Sequence, residues 1–257
     1  MSKFKVFVGW DQRDHYAYRA LQKSLGAHSS IDTEIIPIKE WDLRQAGLYW
    51  RGYHTDGNGQ MWDDRDGNPF STQFSFTRFC VPLMNDFANE WVMFMDADMM
   101  FRGDIKELVD LIDTHKAMMC VQHDHAPTEK TKMDNIMQTR YKRKNWSSVM
   151  LMNTEKCWNL TKYAVNNSTG SFLHQMCWLR DDEIGTLPEE WNWLDGWSSP
   201  GIKAKIVHFT RGTPDMTGEH SSYGEEWWHY LANSVHLHTK DIMEHPNWVK
   251  PPKKVAI

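Results

Sequence analysis

The run EWVMFM, Glu90 to Met95, constrains the fold more than any other part of the chain. Its last five residues are apolar without alternation, which suits a short central strand covered on both faces. Such a strand needs helices on either side of its sheet, and the flanking sequence supplies strand and helix signals in turn. KFKVFVG (3–9) reads as a buried strand closed by glycine. Asp14 can cap a helix carrying Ala17, Tyr18, Leu21 and Leu25 on one face, with Gly26 as its stop. TEIIPI (33–38) is a second strand, and its Pro37 points to an edge or a strand end. STQFSFTRFCVPLMNDF (71–87) reads as a helix that Pro82 kinks or restarts. Asp104 and Glu107 form a capping-box variant before a stripe of Ile105, Leu108, Val109 and Ile112. AMMCVQ (117–122), SSVMLMN (147–153) and AKIVHF (204–209) supply further strands, and 154–164, 171–180 and 225–236 supply helices. This alternation predicts an α/β fold with an open, mixed, mostly parallel sheet flanked by helices.

At 257 residues the chain fits one domain spanning 1–257. Residues 49–71, rich in Gly, Asp and aromatics, read as a long functional loop. The DDRDGN within it lacks the first Asp and the twelfth-position Glu of a calcium loop. Together with the tail 217–257, this loop is an elaboration on the domain. A net charge of −5 argues against a general nucleic-acid binder, the one notable basic run being RYKRKNW (140–146). Four cysteines without a CxxC pair suggest neither a disulfide framework nor a thiolate metal site. No stretch approaches the roughly 18 apolar residues of a membrane span, and the N-terminus shows no secretory leader, so a soluble cytoplasmic protein is expected.

The apolar strand runs directly into Asp96-Ala97-Asp98. In open α/β sheets ligands gather at the carboxyl ends of strands, and these two carboxylates lie at such an end. Two residues apart in extended chain, they point to the same side and repel unless a cation is shared. Oxygen ligands without thiolate favour Mg²⁺ or Mn²⁺. The plain alternative is one Asp capping a turn and the other solvated. His208 follows another apolar strand at the presumed ligand side and is the candidate third ligand, although a histidine there can equally be a hydrogen-bonded loop residue. An Asp/Asp/His set suits Mn²⁺ better than Mg²⁺, imidazole being the softer donor.

FMDADMMFRGDIKEL closely resembles the central motif of family 8 of the GT-A-fold glycosyltransferases, the family of glycogenin and the bacterial lipopolysaccharide galactosyl- and glucosyltransferases. Other landmarks follow in order over residues 3–216. KVFVGWDQ is similar to the nucleotide-contacting strand, FSFTRFCVPLM to the family's arginine-bearing helix, and SSVMLMN to its sGvmlfN strand. RDDEIG resembles the DQd.ln segment, and IVHFTRGTPDM the i.Hf.g..KPW segment, whose His is the third metal ligand. Thr213-Pro214-Asp215 stands where the family has Lys-Pro-Trp, leaving Arg211 to supply the missing charge.

The resemblance implies a GT-A, Rossmann-like fold and a retaining glycosyltransferase that moves a sugar from a nucleotide-sugar donor to a glycan or other hydroxyl acceptor. It implies Mn²⁺ or Mg²⁺ on Asp96, Asp98 and His208, donor contacts from Gly9, Asp11, Arg78, Ala97 and Arg211, and catalysis-associated carboxylates at Asp181 and Asp182. Those two can also be a solvent-facing acidic turn. Asp11 fits a uracil imide N–H, which favours a UDP-sugar over a GDP-sugar. The tryptophans of EEWNWLDGW (189–197) and EEWWHY (225–230) can stack on a glycan or pack a core. Two other classes fit parts of the pattern. One is an inactive carbohydrate- or nucleotide-sugar-binding protein. The other is a metal-dependent phosphatase, whose D-x-D would follow the first strand rather than lie near residue 96.

Overall fold

The computed structural model describes residues 3–124, 142–217 and 221–234. Arg140 and Tyr141 of the basic run, the end of the helix expected over 225–236 and the tail beyond 234 lie outside the described residues. Twelve strands run through these: β1 (Phe4–Gly9), β2 (Thr33–Ile38), β3 (Tyr53–Thr55), β4 (Met61–Asp63), β5 (Pro69–Phe70), β6 (Trp91–Met95), β7 (Met99–Phe101), β8 (Met118–Val121), β9 (Val149–Asn153), β10 (Ile184–Leu187), β11 (Trp193–Leu194) and β12 (Ile206–His208). The chain divides into two compact units, one from segments 1–11, 32–96 and 111–188, the other from 12–31, 97–110 and 189–257.

The first unit holds a six-stranded sheet ordered β10-β8-β9-β6-β1-β2. β1 is parallel to β2 and β6, β10 is parallel to β8, and β9 is antiparallel to both β6 and β8. Five strands therefore share one direction. The apolar run becomes β6, flanked by β1 and β9, with Val92 to Met95 fully buried. β2 is the edge strand, where the missing N–H of Pro37 leaves no ladder bond unmade. Segment 71–87 folds as three short helical turns, Phe74–Thr77, Arg78–Cys80 and Val81–Met84. Pro82 sits in the first turn of the last, where a helix needs no N–H.

Residues 49–71 are not the loop expected. β3, β4 and β5 form an antiparallel meander. Its turns are made by the residues that gave the segment its loop-like composition. Asp56 accepts from the backbone of Asn58 and Gln60, and Asp66 from that of Asn68. Gly59 and Gly67 take φ of +83° and +68°, a region glycine enters without strain. Beneath the meander Arg51 makes two 2.7 Å bonds to the carboxylate of Asp63, both side chains 1% exposed. Its guanidinium also donates to the carbonyls of Val165 and Ser168 and lies over the Phe76 ring.

In the second unit helix His15–Ala27 buries Ala17, Tyr18, Ala20, Leu21, Ser24 and Leu25, a continuous 3–4 spaced stripe. Gly26 does not stop it. The helix runs one residue further, and the N–H of His28 closes onto the carbonyls of Ser24 and Leu25. The Ser24 hydroxyl donates to Leu21 O and accepts from Phe101 N, tying this helix to β7. Asp104 caps helix Ile105–Val109, its side chain accepting from Lys106 N at 3.0 Å. A three-stranded sheet, β11-β12-β7, pairs β12 parallel to β11 and antiparallel to β7. Trp191, Trp193, Trp227 and Trp228 are buried, the last two on helix Gly224–Ala232. Core packing accounts for all four; Trp197, 36% exposed, is the exception in these segments.

Candidate functional site

Because β1 and β6 are parallel, with Val8 opposite Met95, their carboxyl ends lie at one edge of the first unit's sheet. That edge carries Gly9, Asp11 and Asp96. A Cβ on Gly9 would lie 2.5 Å from the Phe74 ring, so only glycine lets the chain turn here against that helix. Asp11, 3% exposed, accepts from Gln73 N at 3.1 Å.

Asp96 is fixed from both directions. Its backbone N–H donates to Ser148 O at 3.0 Å, and the Arg78 guanidinium lies 2.9 Å from its carboxylate. Arg78 is itself buried. It donates to Phe74 O and Ser147 O and lies against the rings of Phe74 and Phe94. So enclosed, it is the permanent cation set against the Asp96 carboxylate. The Ser147 hydroxyl pairs with His174 Nδ1 at 3.0 Å. Burial, reinforced by the Arg78 cation, holds the His174 pKa well below the ordinary histidine value, so its ring is neutral.

In the second unit Asp98 faces His208, Nε2 lying 3.5 Å from the carboxylate. Phe209 N donates to Asp98 O at 2.9 Å and holds the two segments in register. His208 is 4% exposed, and its Nδ1 lies 3.0 Å from Asn192 Oδ1, an acceptor. With Asn192 Oδ1 as acceptor, Nδ1 is the donor of this bond, and Nε2 is the ring atom that faces the carboxylate. Ala97, fully buried, spaces the two aspartates. One ligand atom from each of Asp96, Asp98 and His208 lies within 4.8 Å of the other two. Two carboxylate oxygens and an imidazole nitrogen in its ligating tautomer fit a divalent cation of the Mn²⁺ or Mg²⁺ class.

Asp181 and Asp182 are placed elsewhere. They precede β10, whereas Asp96 follows β6, and the two strands run the same way; the pair therefore stands at the opposite end of the sheet. Their side chains are 82% and 71% exposed and pair with Arg143 and Arg180. The Arg180 hydrogen bond holds the Asp182 carboxyl below its usual range. This is the solvent-facing acidic turn. Arg211 lies in the second unit with its guanidinium 4.9 Å from the Trp197 ring centre. Asn192 and His174 are not marked by the sequence, because nothing in their local pattern shows a polar residue that orients another.

The mixed, mostly parallel sheet flanked by helices is the fold of the GT-A glycosyltransferases. Solved structures share it: the galactosyltransferase LgtC in complex with donor and acceptor sugar analogs is 9% identical with a TM-score of 0.56, covering 92% of this chain and 98% of that one. The bifunctional glycosyltransferase WbbM is 13% identical (TM-score 0.55, 91% of this chain) and GlyE of Streptococcus pneumoniae TIGR4 is 18% identical (TM-score 0.54, 90% of this chain). The chain spans 50% and 60% of the length of those two proteins. No family model matches the sequence. Over 218 residues the chain is 46% identical to Protein CDI of Arabidopsis thaliana, covering 82% of this chain and 79% of that protein, and it belongs to the family of that protein.

Proposed function

We propose that this chain transfers a sugar from a nucleoside-diphosphate sugar to a hydroxyl acceptor, using a divalent cation held by Asp96, Asp98 and His208. The observation that carries the reading is the His208–Asn192 bond. A histidine that only packed a loop would not need its Nδ1 proton committed so that Nε2 faces a carboxylate. Bound there, a cation would act as a Lewis acid and template for the diphosphate leaving group. Mn²⁺ is the better match, because one donor is an imidazole.

The protein's own groups have distinct tasks. Arg78 holds the Asp96 carboxylate in place. Gly9 leaves room for the chain to turn at the donor edge, and Asp11 is the acceptor assigned to an imide N–H of the base, which favours UDP-sugars. Family resemblance supports retention of anomeric configuration. Asp181 and Asp182 have no part in the proposal, since they lie at the other end of the sheet from Asp96. A panel of UDP- and GDP-sugars assayed for slow hydrolysis with Mn²⁺, with Mg²⁺ and with EDTA tests the reading. Metal-dependent turnover of one donor, lost in Asp98→Asn, is expected. Hydrolysis of simple phosphomonoesters instead would replace it with the phosphatase class.

A further inference from the structure

The second unit contains a cleft of about 490 Å³, lined by residues including Trp193, Asp195, Trp197, Ser198, Arg211 and Tyr223. Its walls leave the sheet beside the metal-ligand histidine. β11 and β12 are parallel, with Leu194 opposite His208, and Asp195 N donates to His208 O at 3.0 Å. Residues 195–198 and 209–212 thus leave the same end of the two strands. The first wall is rigid. Trp197 N and Ser198 N both donate to Leu194 O, and Leu194 N donates to the Ser198 hydroxyl. Gly196 holds φ at +77°, and a Cβ there would lie 3.3 Å from the Arg211 guanidinium. The bare glycine therefore lets Arg211 lie close against the turn and stack on Trp197.

These groups have the chemistry of a sugar site. Trp197 offers an exposed indole where its neighbours in the same segments are buried. The Tyr223 ring, edge-on to Trp193 at 5.1 Å, adds a second aromatic wall. The C–H faces of a pyranose pack on such rings, while a carboxylate accepts from hydroxyls and a guanidinium donates to them. One carboxylate and one guanidinium offset each other, which favours a neutral ring over an anionic one. The volume lies within the roughly 300–1,000 Å³ of small-ligand sites.

The geometry points to this cleft as the acceptor site, taking the terminal residue of a neutral glycan, with Trp197 and Asp195 as its specificity determinants. The acceptor role rests on the transferase reading above; the binding of neutral sugar does not. Saturation-transfer NMR on the whole chain, with methyl glucoside, methyl galactoside, methyl xyloside, lactose, maltose and cellobiose, and with glucuronic acid as the anionic comparator, is the test. Binding of a neutral saccharide is expected, about tenfold weaker in Trp197→Ala and weakened in Asp195→Asn, with melting curves confirming that both variants fold. The saccharide that binds is also expected to receive sugar from the donor. Absence of saccharide binding, binding indifferent to both substitutions, or preference for glucuronic acid would overturn the inference. Trp197-dependent binding without any donor turnover would uphold the sugar site and remove the transferase reading. Donor turnover without saccharide binding would do the reverse.

Discussion

At the scale of single residues, the candidate site depends on side chains that hold other side chains in place. Asn192 holds the His208 ring by its Nδ1, and Arg78 lies against the Asp96 carboxylate. Removing the Nδ1 partner in Asn192→Ala frees the His208 ring to turn and to protonate Nε2 instead. Mn²⁺ affinity should fall about 10- to 100-fold while the fold persists, as read by calorimetric titration. Unchanged affinity would show that Asn192 merely packs. That Asp96, Asp98 and His208 come together, within 4.8 Å of one another, was foreshadowed by their place at the ends of apolar strands. Asn192 carries no such mark; its significance lies in a bond across 16 residues. The placement of Asp181 and Asp182 was not readable for a related reason: a carboxylate pair before a strand and one after it look alike in composition, but they lie at opposite sheet ends.

At the scale of elements, the apolar and alternating strands were readable from sequence, and the meander was not. β3, β4 and β5 are two or three residues long, too short to show a period. Their turns are rich in Gly, Asp and Asn, which by composition alone read as loop. What holds them is a long-range pair, Arg51 with Asp63, that no local pattern reveals. Burial already pushes the Asp63 carboxyl upward, and Arg51 opposes it. Arg51→Leu should therefore cost about 3–5 kcal/mol, measured by urea unfolding, because it leaves a buried carboxylate without its counter-charge. Arg51→Leu with Asp63→Leu should recover much of that loss. A single substitution costing under about 1 kcal/mol would mean that the meander is held by its turns alone.

At the scale of the whole molecule, the α/β class and the mostly parallel sheet follow from the order of strand and helix signals. The antiparallel insertion of β9 and the division into two units do not. Both depend on where segments return in space, and a one-dimensional pattern is silent on that. Stability against pH is also a property of the whole fold. His174 is neutral when folded, its pKa lowered by burial, whereas in the unfolded chain it titrates near 6.5. Below about pH 6.5 the unfolded state binds a proton that the folded state refuses, so stability falls as pH falls. The loss continues until the folded pKa is passed, at up to about 1.4 kcal/mol per pH unit. Urea unfolding at pH 7.5, 6.5 and 5.5 should show this decline, and His174→Gln should flatten it. An equal slope in the variant would assign the pH dependence to other groups.

The most direct test of the whole account is a calorimetric titration of UDP into the chain, with Mn²⁺ and with EDTA, in the wild type and in Asp98→Asn. The account predicts binding to the wild type with Mn²⁺ and loss of it in EDTA or in the variant. UDP binding that is equal with and without metal, or absent throughout, would contradict the claim that the Asp96–Asp98–His208 cluster holds a cation for a sugar nucleotide.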